Sequence, residues 1–236
     1  MSQKAKNIFR DFLDLLLPRT CAACNRALHP WEEEICQLCL MQLPISNYHL
    51  DADNPVAQVF WGRVRLEQAG TWFIYIRGSR FQNLLHRLKY EHRPRIGIAM
   101  GKNYGYQLKH SGVYEIPHMI IPVPLHPKRR RSRGYNQSEV IAKGLSVALE
   151  IPVRVDILLR TVHTKTQTAK TRAERYLNVS GKFKINNPEV IENKHILLVD
   201  DVITTGATIE ACAEELLKVE GIRVSVVGVA FASKRG

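Results

Sequence analysis

Ile196-Leu197-Leu198-Val199-Asp200-Asp201-Val202-Ile203-Thr204-Thr205-Gly206-Ala207-Thr208 decides how this chain is read. Four apolar residues in a row, bounded by turn chemistry, predict a buried strand of a parallel sheet. Two carboxylates stand where that strand is expected to end. A short loop of hydroxyls around Gly206 follows, and from Thr208 a helical pattern places Ile209, Cys212, Ala213, Leu216 and Leu217 on one face. A loop running into a helix N-terminus offers unpaired backbone N–H groups and positive dipole to a phosphate. Gly206 permits close approach of the backbone, and the threonine hydroxyls add donors. The paired aspartates suit a cation such as Mg²⁺ or the diol of a ribose. There is no lysine after the glycine and no second glycine at Walker spacing, so this is not a P-loop.

Outward from this stretch, strands and helices alternate. His118–Pro124 predicts a short strand, followed by a basic loop and a helix with Val140, Ile141, Leu145, Ala148 and Leu149 on one face. Phe81, Leu84, Leu85 and Leu88 fall at helical spacing, a second helical stretch follows Pro94, and Arg223–Phe231 is a β-branched strand. The alternation predicts an α/β fold with a mainly parallel sheet. Val56–Ile76, rich in Val, Phe, Trp and Tyr with breaks at Gly62 and Gly70, predicts a strand pair. Residues 1–17 predict an amphipathic helix ended by Pro18 rather than a secretion signal, which places the protein in the cytoplasm. No apolar run is long enough to span a membrane. The expected organisation is an N-terminal helix and ribbon over 1–45, a hood-like strand pair over 46–79 and a main α/β domain over 80–236.

Four of the five cysteines form Cys21-x-x-Cys24 and Cys36-x-x-Cys39, separated by eleven residues. This spacing predicts a tetrahedral Cys₄ zinc site, with a disulfide pair as the alternative that a reducing compartment disfavours. With every position a thiolate, no place is left for a water, so the metal is structural. Cys212, on an apolar helix face, reads as a core thiol.

The formal charge is +12, which points to polyanionic partners: phosphorylated metabolites, nucleic acid or both. Lys128 to Arg133 carries five cations and no acid, and it lies between a strand and a helix. That context puts it on the same edge of the sheet as the phosphate loop, where open α/β sheets bind ligands. Guanidinium forks there suit a pyrophosphate. From Arg160 to Lys182, six cations face only Glu174 in a polar segment that reads as a lid.

The stretch ending at Thr208 resembles the 5-phosphoribosyl-1-pyrophosphate (PRPP) motif of type I phosphoribosyltransferases. Together the cysteine ribbon, the His126–Gln137 segment, the Thr166–Val179 segment and Leu197–Thr208 occur in the order seen in the ComF family, competence-associated phosphoribosyltransferase-like proteins. The resemblance covers nearly the whole chain. It implies a type I phosphoribosyltransferase fold with a zinc ribbon and hood, binding Mg-PRPP, and a role in uptake of single-stranded DNA during natural transformation. It further implies competence helicase or recombination proteins as partners, and either phosphoribosyl transfer to an acceptor or PRPP-responsive DNA binding without turnover. Residue by residue, it assigns Asp200 and Asp201 to the ribose hydroxyls and Mg²⁺. Thr204, Thr205, Gly206, Ala207 and Thr208 are assigned to the 5′-phosphate, and His126, Lys128, Arg129 and Arg133 to the pyrophosphate. Arg160, Gln167, Arg172 and Arg175 are assigned to the lid. The N-terminal part, with Lys89 and Tyr90, is assigned to the ribbon and hood.

Overall fold

The computed structural model describes residues 18–161 and 182–232. Four strands build the main sheet: β1 (Ala69–Ile74), β2 (Met119–Pro122), β5 (His195–Ile203) and β6 (Arg223–Phe231). Their order is β1-β6-β5-β2 and every pairing is parallel. β3 (Leu158–Arg160) and β4 (Phe183–Ile185) form a separate antiparallel pair. β5 continues through Asp200 and Asp201 to Ile203, so the acidic pair sits within the strand's last turns of pleat rather than beyond it.

Helices cover both faces. α3 (Gln82–Tyr90), α4 (Pro94–His110) and α6 (Gln137–Leu149) pack on one face with Ile120, Leu197, Val199, Val227 and Val229. α7 (Ala207–Leu216) packs on the other with Ile121, Ile196, Leu198, Val224 and Val226. The alternation of strand side chains explains the near-continuous apolar runs, because each strand is buried on both sides. The chain leaves β2 toward the first face, into α6, and leaves β5 toward the second, into α7. β2 and β5 are neighbours, so a crevice opens between their C-terminal ends.

Two short helices complete the frame: α1 (Gln37–Met41) in the ribbon and α2 (Pro55–Gln58) before β1. The strand pair expected over Val56–Ile76 is not formed. Asn54 accepts from the N–H groups of Val56 and Ala57 at 2.8 and 3.1 Å with Pro55 at the first helical position, which turns the segment into α2. Only Ala69–Ile74 is extended, and it joins the main sheet beside β6 instead of pairing locally. The basic segment expected as a loop is also helical. In α5 (Pro127–Arg133), His126 Nδ1 accepts from Lys128 N–H at 3.2 Å as the cap, and Gly134 ends the helix at φ +77°. The predicted N-terminal helix, 1–17, lies outside the described residues.

α4 and α6 touch backbone to backbone. A Cβ on Gly101 would lie 2.1 Å from Ile141 O, and one on Gly144 would lie 2.1 Å from Ile98 O. Gly101→Ala is therefore expected to destabilise the chain by about 1–3 kcal/mol or more, despite the ~1 kcal/mol that alanine gains in helix propensity. Urea titration checks this, and an unchanged or raised midpoint would contradict the packing.

Candidate functional site

The crevice between β2 and β5 is where the sequence-predicted residues meet. Asp200, Asp201, Thr208, Arg129, Arg133 and Arg160 line one cavity of about 200 Å³, together with Lys89, Asn136, Gln137 and Ser138. A smaller recess of about 40 Å³ is formed by Asp200 and residues 202–209, and it contains Thr204, Thr205, Gly206, Ala207 and Thr208. Asp200 and Thr208 border both, so an extended ligand can occupy the two at once. His126 caps α5 and Lys128 lies in its first turn, and neither lines either space. Gln167, Arg172 and Arg175 lie outside the described residues.

The phosphate-loop backbone is locally determined. Gly206 has φ +71° and caps α7; a Cβ there would come within 2.7 Å of both Val59 and Phe60. The first N–H groups of α7 have no intrahelical acceptor and face the recess, which gives an anion a ready set of donors. Arg63 braces this loop from the side: its Nη1 donates to Thr205 O and Val59 O at 2.9 Å each, and its guanidinium pairs with Glu210.

The acidic pair is short of positive charge. Ser138 Oγ and Asp201 N–H donate to Asp200 Oδ1 at 2.9 and 2.8 Å. Lys89 Nζ lies 2.9 Å from Asp201 Oδ2. Burial, joined by the neighbouring Asp201 carboxylate, pushes Asp200 up to about 7, more than those donors and Lys89 offset. Two adjacent carboxylates facing one lysine make a hard-oxygen donor set that fits a divalent cation such as Mg²⁺. Above them, Arg133 Nη1 donates to Gln137 Oε1 at 2.8 Å and its guanidinium lies 5.6 Å from the Tyr90 ring centre. Arg160 lies over Phe183 at 5.4 Å. The aromatic contacts hold both guanidinium planes beside the cavity.

Lys89 is the site residue that sequence reasoning placed poorly, and Ser138 is one that it did not single out. Lys89 was expected in the hood, yet the C-terminal end of α3 carries it to the acidic pair. Ser138 and Asn136 had a readable signal. They follow a basic stretch and a glycine at a helix start, and such polar residues cap helices; Asn136 accepts from Ser138 N–H at 3.2 Å and donates to Val123 O at 2.9 Å.

At the other end of the α3–α4 face, Cys21, Cys24, Cys36 and Cys39 bring their sulfur atoms within 4.8 Å of one another. Cys24 and Cys36 Sγ are 3.8 Å apart, far beyond a disulfide bond and about the edge length of a tetrahedron with ~2.3 Å zinc–sulfur bonds. Burial raises Cys21, but backbone N–H groups outweigh it and bring that thiol to about 7. Burial and the neighbouring sulfurs push Cys39 far up. Four thiolates cannot coexist here without a cation, and the cluster could hold a metal ion. Cys212 is a buried core thiol on α7.

Residues 135–235 match the phosphoribosyl transferase domain, from the approach to α6 through β5, α7 and β6. The parallel sheet, the switch-point crevice and this match define a phosphoribosyltransferase-like protein with an added cysteine ribbon. Among its relatives, competence protein F of Haemophilus influenzae is 28% identical over 222 residues, covering 90% of this chain and 96% of that one. Competence protein ComFC of Bacillus subtilis is 29% identical over 224 residues, covering 92% and 86%. The DNA utilization protein YhgH of Shigella flexneri is 29% identical over 206 residues, covering 84% of each. The chain is thus similar over most of its length to competence proteins of the ComF family. Among the described residues, no helix is long and apolar enough to cross a membrane.

Proposed function

We propose that this protein binds Mg-PRPP in the β2–β5 crevice and acts in the uptake or use of single-stranded DNA. The observation that carries the reading is the convergence on one crevice of a carboxylate pair, a hydroxyl-lined helix N-terminus and three arginines, two from α5 and one from β3. PRPP presents a matching sequence of groups: a 5′-phosphate, a ribose diol and a pyrophosphate. The recess of residues 204–208 takes the phosphate, Asp200 and Asp201 take the diol, and Arg129, Arg133 and Arg160 take the pyrophosphate. The DNA half of the proposal draws on the names of the relatives and on the charge of +12. The Cys₄ cluster holds zinc as a structural ion.

Where an acceptor is present, the bond from the anomeric carbon to the pyrophosphate oxygen breaks and the electron pair leaves with pyrophosphate. The acceptor's lone pair then bonds to that carbon from the opposite face, and its proton passes to solvent. Mg²⁺, when bound, neutralises charge on the leaving group. The arginines and Lys89 stabilise the same developing charge, and the phosphate recess fixes the ribose. A second reading has PRPP as a signal without turnover. It is favoured by the absence of a histidine or a third carboxylate among the described residues lining these two cavities.

Calorimetric titration with PRPP tests the common core: binding is expected with Mg²⁺ and strongly reduced without it. A folded, metal-loaded protein that binds no PRPP under either condition sinks the proposal. Pyrophosphate release on adding an acceptor selects transfer, while PRPP-dependent DNA affinity without release selects the second reading.

A further inference from the structure

One acid stands where an anion site has least use for it. Glu210 lies in the first turn of α7, the helix whose N-terminus opens onto the recess of residues 204–208. A carboxylate there interacts well with the helix dipole, but it repels any anion drawn to the same N–H groups. The chain meets this charge from a segment far away in sequence. Arg63 Nε donates to Glu210 Oε1 at 3.1 Å, and its Nη2 donates to the other carboxylate oxygen. Nη1 bridges Val59 O and Thr205 O. Each nitrogen of this guanidinium thereby has an acceptor within the protein. Neither Arg63 nor Glu210 lines the recess or the arginine-rich cavity, so both can act on a ligand there only through the loop and through their charge.

Arg63 is itself held from the sheet. Asn54 Nδ2 donates to Ala69 O of β1 at 2.8 Å, while its Oδ1 caps α2. Beyond α2, Val59 and Phe60 press on the phosphate loop so closely that a Cβ on Gly206 would come within 2.7 Å of each. Arg63 N–H then donates to Phe60 O at 3.0 Å, closing the turn from which the guanidinium extends. The segment from Asn54 to Arg63 is a buttress between β1 and the phosphate loop. The planar fork at its tip reaches a carboxylate and two carbonyls at once, a geometry that lysine does not reproduce.

We infer that Arg63 is a positioning residue for the phosphate recess, fixing Thr205 and masking the Glu210 carboxylate from a bound phosphate. This deepens the phosphoribosyl reading and rests on it for why a phosphate lies there. The two partners of one ion pair then act with opposite sign. Removing the arginine releases the Thr205 carbonyl and leaves an uncompensated negative charge beside the recess. Removing the carboxylate leaves the recess with an added positive charge. A pair that served only to hold the fold would give losses from either side.

The test is calorimetric titration of the full, metal-loaded chain with ribose 5-phosphate at low and at high salt. Arg63→Met is expected to weaken binding ~10-fold or more. Glu210→Gln is expected to strengthen it ~2- to 5-fold at low salt, a gain that shrinks as salt screens it. Combining the two should recover part of the loss seen with Arg63→Met alone. Glu210→Gln keeps an acceptor oxygen for the guanidinium, so it tests the charge even where Arg63→Met does not fold. Unchanged or weaker binding by a folded Glu210→Gln chain overturns the inference and leaves the phosphate recess standing. A wild-type chain that binds no ribose 5-phosphate removes the recess itself, and the role of Arg63 with it.

Discussion

Replacing Asp200 and Asp201 together by asparagine is expected to abolish Mg-PRPP binding, and Asp200→Asn alone to make the unliganded protein more stable at pH 8. The two effects share a cause. Asp200 is held near 7 in the folded chain, against about 4 for an unfolded aspartate. Between those values the folded state carries one proton more than the unfolded state. Stability therefore falls as pH rises through that window, and the full penalty is present above about 7. The difference of about three units sets a ceiling of roughly 4 kcal/mol. Asparagine removes this penalty and still accepts from Ser138 Oγ and Asp201 N–H through its amide oxygen. Thermal unfolding of the ligand-free proteins at pH 8 and pH 5 should show the variant melting higher at pH 8, with the gap narrowing at pH 5. An equal gap at both values, or none, would refute the account of a carboxylate kept under electrostatic load for its ligand. Retained PRPP affinity in a folded double variant would remove the assignment of the pair.

Loss of the ribbon metal is expected to have the other large effect. Structural zinc contributes ~10–16 kcal/mol in small peptides, so Cys39→Ser or exhaustive chelation should unfold the ribbon outright. The damage should reach further. Cys21, Ala22, Ile35 and Cys36 share one core with Leu84, Leu85 and Leu88 of α3. Asn83 Nδ2 donates to Ala23 O at 3.0 Å, and Arg93 pairs with Glu34 at 2.6 Å. The same α3 ends at Lys89, 2.9 Å from Asp201. Metal-free protein should therefore melt several degrees lower and bind PRPP more weakly, although none of the described ribbon residues lines the crevice. Elemental analysis, melting and calorimetry on one preparation check this. A Cys39→Ser chain with wild-type stability, or a wild-type chain free of zinc, would count against it.

Much of the fold was legible because local and tertiary demands agree. Ile196–Val199 has no polar residue to place on a solvent side, and the structure buries it on both faces. Gly206 announced its loop because no other residue reaches φ +71° there without strain. Val56–Ile76 misled for the opposite reason: its aromatic and β-branched residues suit a strand, but the Asn54-Pro55 cap is stronger local chemistry than that propensity. The site divided in the same way. Asp200, Thr208 and the arginines lie next to strand ends and helix starts, where position in the chain predicts position on the sheet. Lys89 reaches Asp201 across more than a hundred residues of sequence, and nothing in its neighbours encodes that meeting.

The glycine contact between α4 and α6 acts as a gauge. With backbones in direct touch at Gly101 and Gly144, the height of α6 above the sheet is set by atoms that have no rotamers to adjust. Asn136 caps α6 and its first turn carries Ser138, so that height also sets where a hydroxyl meets Asp200. A methyl group added deep between two helices is thus a calibration error at the crevice, and chains that remain folded after such a change should differ in ligand affinity rather than in shape.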